Sequence, residues 1–352
     1  MFYSLTNTAR KVRTIVADLC VKLPQTQRKR AGMLLEARDL TIRLQTSRKN
    51  VDAVNGTSFS IDDGEVLGVV GESGSGKSVT ALGIMGLLDP RIATVSGSVQ
   101  FGGRDLLEMS AREMQRLRGI EMAMIFQDPM SALNPLLTVG RQLTEVLEDK
   151  LGMPRSVALS RAAELFEMVG IPDPGRRIKD YPHEFSGGMR QRILIAIAAS
   201  CKPRLLIADE PTTALDVTVQ AQIIEVINTL RAEFGMGLMW ISHDLSVVAS
   251  LCDRAQVMYG GRIMETGDVD DLFTNPRHPY TKGLLQAIPR LDSPAVGRLT
   301  PIPGQPSSEP PRHGCPFFSR CTRRLDKCRE NTPPEFDVGV SHVSACWLEQ
   351  GE

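Results

Sequence analysis

No stretch of this 352-residue chain comes near the 18 or so consecutive apolar residues that a membrane-spanning helix needs. The best run, Ile193 to Ala199 in "RILIAIAAS", is short and flanked by Arg192 and Lys202. Any membrane role must therefore come through a partner. An excess of one charge sign is missing too, since lysine plus arginine and aspartate plus glutamate number 41 each. With aromatics at only 5%, neither the basic stripe nor the stacking surface of a nucleic-acid binder is available. No internal repeat and no sustained heptad pattern occurs, which excludes solenoids and long coiled coils. Cysteine is scarce until the end of the chain, where it is concentrated.

What is present reads as an ordinary globular protein, with 42% hydrophobic and 23% charged residues. The length suits one large domain plus a smaller one. Residues 1–32 stand apart. The first 30 hold seven basic residues against one acid, Asp18, with no uninterrupted apolar core, so they lack the make-up of a signal peptide. They read as a loosely ordered leader ahead of a domain that starts at Met33, with a transit peptide as the alternative.

From Leu34 strand and helix signals alternate. "LLEARDLTIRL", "GEVLGVV" (64–70) and "GSVQFGG" (97–103) read as strands, and "KSVTALGIMGLL" as a helix ended by Asp89-Pro90. Between 138 and 170 the period becomes 3.6, with Ala158, Ala162, Leu165, Phe166 and Val169 on one face. Strand patterns return in "RLLIAD" (204–209) and "GLMWIS" (237–242). Between them Ile223, Ile227, Leu230 and Phe234 mark a helix that Asp216 can cap. The fold class is α/β: a mixed-sheet core over 33–270 with a helical insertion at about 128–190. From about 271 the composition shifts to Pro, Arg and Cys, which marks a separate appendage reaching residue 352.

"GESGSGKS" (71–78) has phosphate-loop spacing, and its context fits: an apolar strand ends at Val70 and a helix begins at Lys77. Inward backbone N–H groups from Gly71, Glu72, Ser73, Gly74, Ser75 and Gly76 suit phosphate oxygens, and Val79 lies in the first helical turn. Lys77 would reach the β- and γ-phosphates of a nucleotide, and the Ser78 hydroxyl would ligate Mg²⁺. "RLLIADEPT" (204–212) ends a buried strand in Asp209, suited to hold Mg²⁺, followed by Glu210, suited as general base. "FSGGMRQR" (185–192), Gln127 in "MIFQDP" and His243 in "WISHD" each mean little alone.

All five motifs in this order resemble the ATP-binding cassette ATPases, which are P-loop NTPases. The resemblance implies that Gln127 senses Mg²⁺ and the γ-phosphate, and that Ser186, Gly187, Gly188 and Met189 contact ATP held by an opposite subunit. It also implies a dimer-contacting loop ending at Asp216, and a His243 that meets the γ-phosphate near Glu210. Two departures stand out: Met189 where a glutamine is commoner, and Leu44 where an aromatic usually stacks on adenine. "QDPMSALNPLLTVG", "YPHEFSGGMRQR" and "NPRHPYTKGLLQAIPRL" narrow the resemblance to the bacterial dipeptide, oligopeptide and nickel importers. That branch implies a peripheral ATPase on the cytoplasmic face of the inner membrane. It implies a second ATPase, with a heterodimer favoured over a homodimer, two integral permeases and an extracytoplasmic solute-binding protein. Peptide is the expected cargo, with nickel chelates or oligosaccharides as alternatives and a soluble, non-transport cassette as a further one.

Cys315, Cys321, Cys328 and Cys346 remain. A reducing compartment disfavours disulfides, and four thiols beside Phe317, Phe318 and Trp347 suit a metal. Their intervals match neither common zinc spacings nor ferredoxin runs. The family resemblance implies a [4Fe–4S] cluster, with structural Zn²⁺ or unligated thiols as alternatives.

Overall fold

The structure, a computed structural model, describes residues 32–45, 50–213, 215–287, 301–307 and 311–351. The leader expected over 1–32 lies, but for Gly32, outside the described residues.

An eight-stranded sheet carries the molecule. Its order is β11(Phe336–Gly339), β12(His342–Ser344), β10(Arg262–Asp268), β9(Arg254–Tyr259), β3(Val66–Val70), β8(Gly237–Ser242), β7(Leu205–Asp209), β6(Met122–Ile125). From β9 through β3, β8 and β7 to β6 the pairing is parallel throughout. A strand buried on both faces needs an unbroken apolar run, which is why "VLGVV", "LLIAD" and "GLMWIS" do not alternate with polar residues. The alternation instead divides two cores. Val66, Val70, Leu206, Ala208, Leu238 and Trp240 join a core shared with the helical insertion. Leu67, Val69, Leu205, Ile207, Met239 and Ile241 join a second core under the antiparallel sheet β2(Asn50–Asp62), β1(Met33–Gln45), β4(Ala93–Phe101), β5(Arg104–Asp105).

The expected insertion is present as helices Val139–Leu151 and Arg155–Met168, separated by Gly152-Met153-Pro154. Ala158, Ala162, Leu165, Phe166 and Val169 are all fully buried, as their spacing predicts. Helix Gly187–Ala199 carries the helical region past residue 190. The expected helix at 77–88 is shorter, Lys77–Ile84, because Gly86 turns left-handed at φ 59°.

The tail packs onto this core, where hairpin β11–β12 extends the central sheet, with Glu265↔Ser344 and Thr266↔Val343 in register. Beneath that junction the buried Glu265 carboxylate accepts N–H groups from Arg277 and His278, at 2.6 and 2.9 Å. His342 Nε2 lies 2.8 Å from the same carboxylate. A buried carboxylate with this many partners fastens the tail to β10.

Candidate active site

Parallel strands send their C-terminal ends to one edge of the sheet, which is where ligands of open α/β sheets bind. Here that edge gathers the loop after β3, Gln127 after β6, Asp209 and Glu210 at the end of β7, and His243 after β8. Residues distant in sequence thus become neighbours because their strands are.

The phosphate loop runs straight from β3 into helix Lys77–Ile84. Its last residue, Gly76, caps the helix at φ 103°, and a Cβ there would sit 2.5 Å from the Ala53 carbonyl, so only glycine fits. Lys77 is buried and folds back over the loop, donating to the carbonyls of Gly71 (2.8 Å) and Glu72 (3.0 Å). Burial lowers its pKa, opposed by the charges of Glu210, Asp209 and Glu72.

Ser78 Oγ donates to Asp209 Oδ1 at 3.0 Å, joining the two expected Mg²⁺ ligands across 131 residues of sequence. A hydroxyl beside a carboxylate is the hard-oxygen donor set that Mg²⁺ prefers. Burial raises the Asp209 pKa, although the Ser78 bond pulls the other way.

Glu210 is the centre of a second group. Gln127 Nε2 donates to its Oε2 at 3.1 Å, Thr213 Oγ1 donates to the same atom at 2.9 Å, and His243 Nδ1 lies 3.3 Å from it. Gln127 therefore meets Glu210 here rather than the Ser78–Asp209 pair. Thr213 was not singled out from sequence, although its place three residues after Glu210 in "DEPTT" could have suggested it. Glu210 has φ 46°, a left-handed backbone that costs a non-glycine residue roughly 1 kcal/mol or more. Its N–H donates to the Ile241 carbonyl at 2.9 Å, which holds it there.

Ser186 caps helix Gly187–Ala199 by accepting the Met189 N–H at 3.4 Å. A Cβ on Gly188 would approach Val219 Cγ1 to 2.5 Å, so this glycine lets the helix pack against Val217–Phe234. Asp216 caps that second helix through the Val219 N–H at 2.9 Å. Leu44 lies half-buried on β1 against the second core.

Cys315, Cys321, Cys328 and Cys346 line one small cavity with Phe317, Phe318 and Trp347. Backbone N–H groups of Phe317, Arg323 and Leu348 reach the sulfurs of Cys315, Cys321 and Cys346. Burial, reinforced by the neighbouring thiols, pushes Cys315 up to about 12 and Cys346 up to about 11. The cavity measures about 10 Å³, room for roughly one water. Among the described residues no group of three or more His, Cys, Asp or Glu is arranged to hold a metal ion. The chemistry of the donor set fits a thiophilic centre. A larger cleft of about 420 Å³ lies between β1–β2 and β9–β10–β12 and contains no phosphate-loop residue. No helix among the described residues is long and apolar enough to cross a membrane.

A phosphate loop facing a Ser–Asp pair and a glutamate with glutamine and histidine partners, on a parallel sheet with a helical insertion, defines a P-loop ATPase of the ATP-binding cassette class. The family described as "ABC transporter" matches residues 54–213, and "Oligopeptide/dipeptide transporter, C-terminal region" matches 264–328. The chain belongs to the ATP-binding subunits of that transporter family, and it is an ATPase that works on ATP with Mg²⁺. It is 49% identical to a probable peptide ABC transporter ATP-binding protein of Sinorhizobium fredii, covering 90% of this chain and 96% of that one. It is also 49% identical to an oligopeptide transport ATP-binding protein of Bacillus subtilis, covering 91% and 90%. Among solved structures, a dimeric bacterial ABC transporter cassette matches with a TM-score of 0.60 at 26% identity, covering 67% of this chain and 99% of that one. A dimeric cassette in a post-hydrolysis state, bound to ADP and phosphate, matches with a TM-score of 0.61 at 25% identity over the same shares.

Proposed function

We propose that this chain hydrolyses ATP to drive uptake of di- and oligopeptides, as a peripheral subunit on the cytoplasmic face of a bacterial inner membrane. It works with a second, related cassette ATPase and two integral permeases, fed by an extracytoplasmic binding protein. The observation that carries the catalytic part is the convergence of Gln127, Thr213 and His243 on one oxygen of Glu210, next to the Ser78–Asp209 pair.

In this reading Lys77 swings from the loop carbonyls to the phosphates, trading two neutral acceptors for anionic ones. Ser78, Asp209 and Gln127 would hold Mg²⁺, which would supply positive charge to offset that of the phosphates. Glu210 Oε2 is fixed by its three partners, so Oε1 takes the proton of the attacking water. His243 meets the γ-phosphate. Ser186, Gly187, Gly188 and Met189 complete the site of the opposite subunit, with the loop ending at Asp216 between them. Both similar cassettes described above are dimers, which supports this pairing.

Replacing Glu210 by Gln keeps shape and hydrogen bonding but removes the base. Turnover in the assembled transporter should fall by about 10²–10⁴-fold while ATP stays bound. A steady-state rate within tenfold of the unmodified protein would overturn the assignment of Glu210.

The cysteine node is read as a metal centre, [4Fe–4S] before Zn²⁺, held by Cys315, Cys321, Cys328 and Cys346. Amide N–H groups aimed at sulfur support ligation, because such bonds stabilise thiolate. Anaerobic purification with iron, sulfide and zinc counted per chain tests it. About four irons with equal sulfide give the cluster; one zinc gives a structural clip; neither metal sinks the reading.

A further inference from the structure

The tail does more than extend the sheet: it reaches the phosphate loop. Arg320 immediately precedes Cys321, and its side chain is 4% exposed. The guanidinium engages Glu72, the second residue of "GESGSGKS", through both carboxylate oxygens: Nη1 to Oε2 at 2.5 Å and Nη2 to Oε1 at 3.1 Å. Arg320 is itself oriented by the Pro303 carbonyl, which accepts its Nε–H at 2.8 Å, and by Tyr259 Oη at 3.3 Å from Nη1. A second contact comes from helix Pro279–Gln286, where the fully buried Tyr280 accepts the Glu72 N–H on its hydroxyl at 2.9 Å. Phe317 packs against Tyr259 and Tyr280, at ring separations of 5.3 and 5.2 Å, so one aromatic cluster supports both contacts.

The chemistry gives the arrangement a purpose. A carboxylate on a phosphate-binding loop is a liability, because it repels the anion that the loop exists to bind. Glu72 is close enough to Lys77 to act on its charge, and its carbonyl accepts a Lys77 Nζ–H. A bidentate guanidinium both neutralises that carboxylate and fixes where it points. We propose that Arg320 and Tyr280 are positioning residues for the nucleotide site. They clamp Glu72 so that its charge is cancelled and the loop N–H groups are preset for phosphate. The tail is thereby a working part of the ATP site, and its folded state sets nucleotide affinity.

This inference rests on the ATPase reading, so the experiment separates the two. MgADP is titrated calorimetrically into the full chain, with Lys77→Ala as a control for phosphate binding. Arg320→Met should weaken MgADP about tenfold, which is ~1.4 kcal/mol. Adding Glu72→Gln to Arg320→Met should recover most of that loss, because the unneutralised charge is gone. Arg320→Lys, which keeps the charge but loses the fork, should fall between, and it serves if the methionine variant does not fold. In the assembled ATPase the loss should appear in KM with kcat little changed. An Arg320→Met affinity within twofold of the unmodified chain overturns the proposal. So does a double variant as weak as the single one, since Arg320 would then act only through tail stability. Failure of the unmodified chain to bind MgADP would instead remove the nucleotide site itself.

Discussion

At the scale of single residues, two groups are held in states they would not choose in water. Glu210 keeps a left-handed backbone because its N–H is bound to Ile241 and its side chain by three partners. His278 is fully buried beside Glu265, and burial lowers its pKa to about 4, against the pull of Glu265 and Glu349. Its neutral Nδ1 accepts the Tyr280 N–H at 3.0 Å and caps helix Pro279–Gln286. The unfolded chain binds a proton here near pH 6.5 while the folded chain resists until about 4. Between those values the unfolded state holds more protons, so stability rises with pH and is lost as pH falls. From pH 7 to pH 5 this one group should cost about 2 kcal/mol. His278→Asn preserves a cap without the titration. Urea midpoints at the two pH values should therefore separate less in the variant, and an unchanged separation would remove His278 from the acid response.

At the scale of elements, the helical insertion depends on one close approach. Gly140, the second residue of helix Val139–Leu151, donates its N–H to the Ile178 carbonyl at 3.0 Å. A Cβ at that position would lie 2.3 Å from the same carbonyl oxygen, backbone that cannot swing aside. Alanine gains up to ~1 kcal/mol of helix propensity there, but overpacking costs about 1–3 kcal/mol. Gly140→Ala should lower the thermal midpoint and leave MgADP affinity of the folded protein unchanged. A raised midpoint would mean that the insertion shifts freely at Ile178. Elements of this kind were legible in sequence: 3.6-residue spacing gave the buried face of Arg155–Met168, and unbroken apolar runs gave β3, β7 and β8. β2 was not legible. "NVDAVNGTSFSID" is rich in turn formers, and its extended state comes from pairing with β1 through several bulges, a tertiary effect.

At the scale of the whole molecule, the phosphate loop could be read because strand, loop and helix follow one another without a break. The Ser78–Asp209 pair could be read only as two motifs, since their contact depends on strand order. The tail's hairpin is too short to show a period, and the Arg320–Glu72 contact spans 248 residues. No local signal carries such a contact. The same limit applies to the partner, which leaves its mark only as surfaces. Ser186 and Asp216 cap the ends of two packed helices, and neighbouring Val217 is 80% exposed, an apolar side chain without cover within one chain. If an opposing cassette covers it, association should require ATP and should persist when hydrolysis is blocked. With Glu210→Gln, MgATP should convert this chain, mixed with the related ATPase proposed above, from separate subunits to a dimer in light scattering, while MgADP should not. Val217→Asp should weaken that dimer without weakening MgADP binding to the single chain. Equal association in ADP and ATP would mean that the interface does not depend on the γ-phosphate.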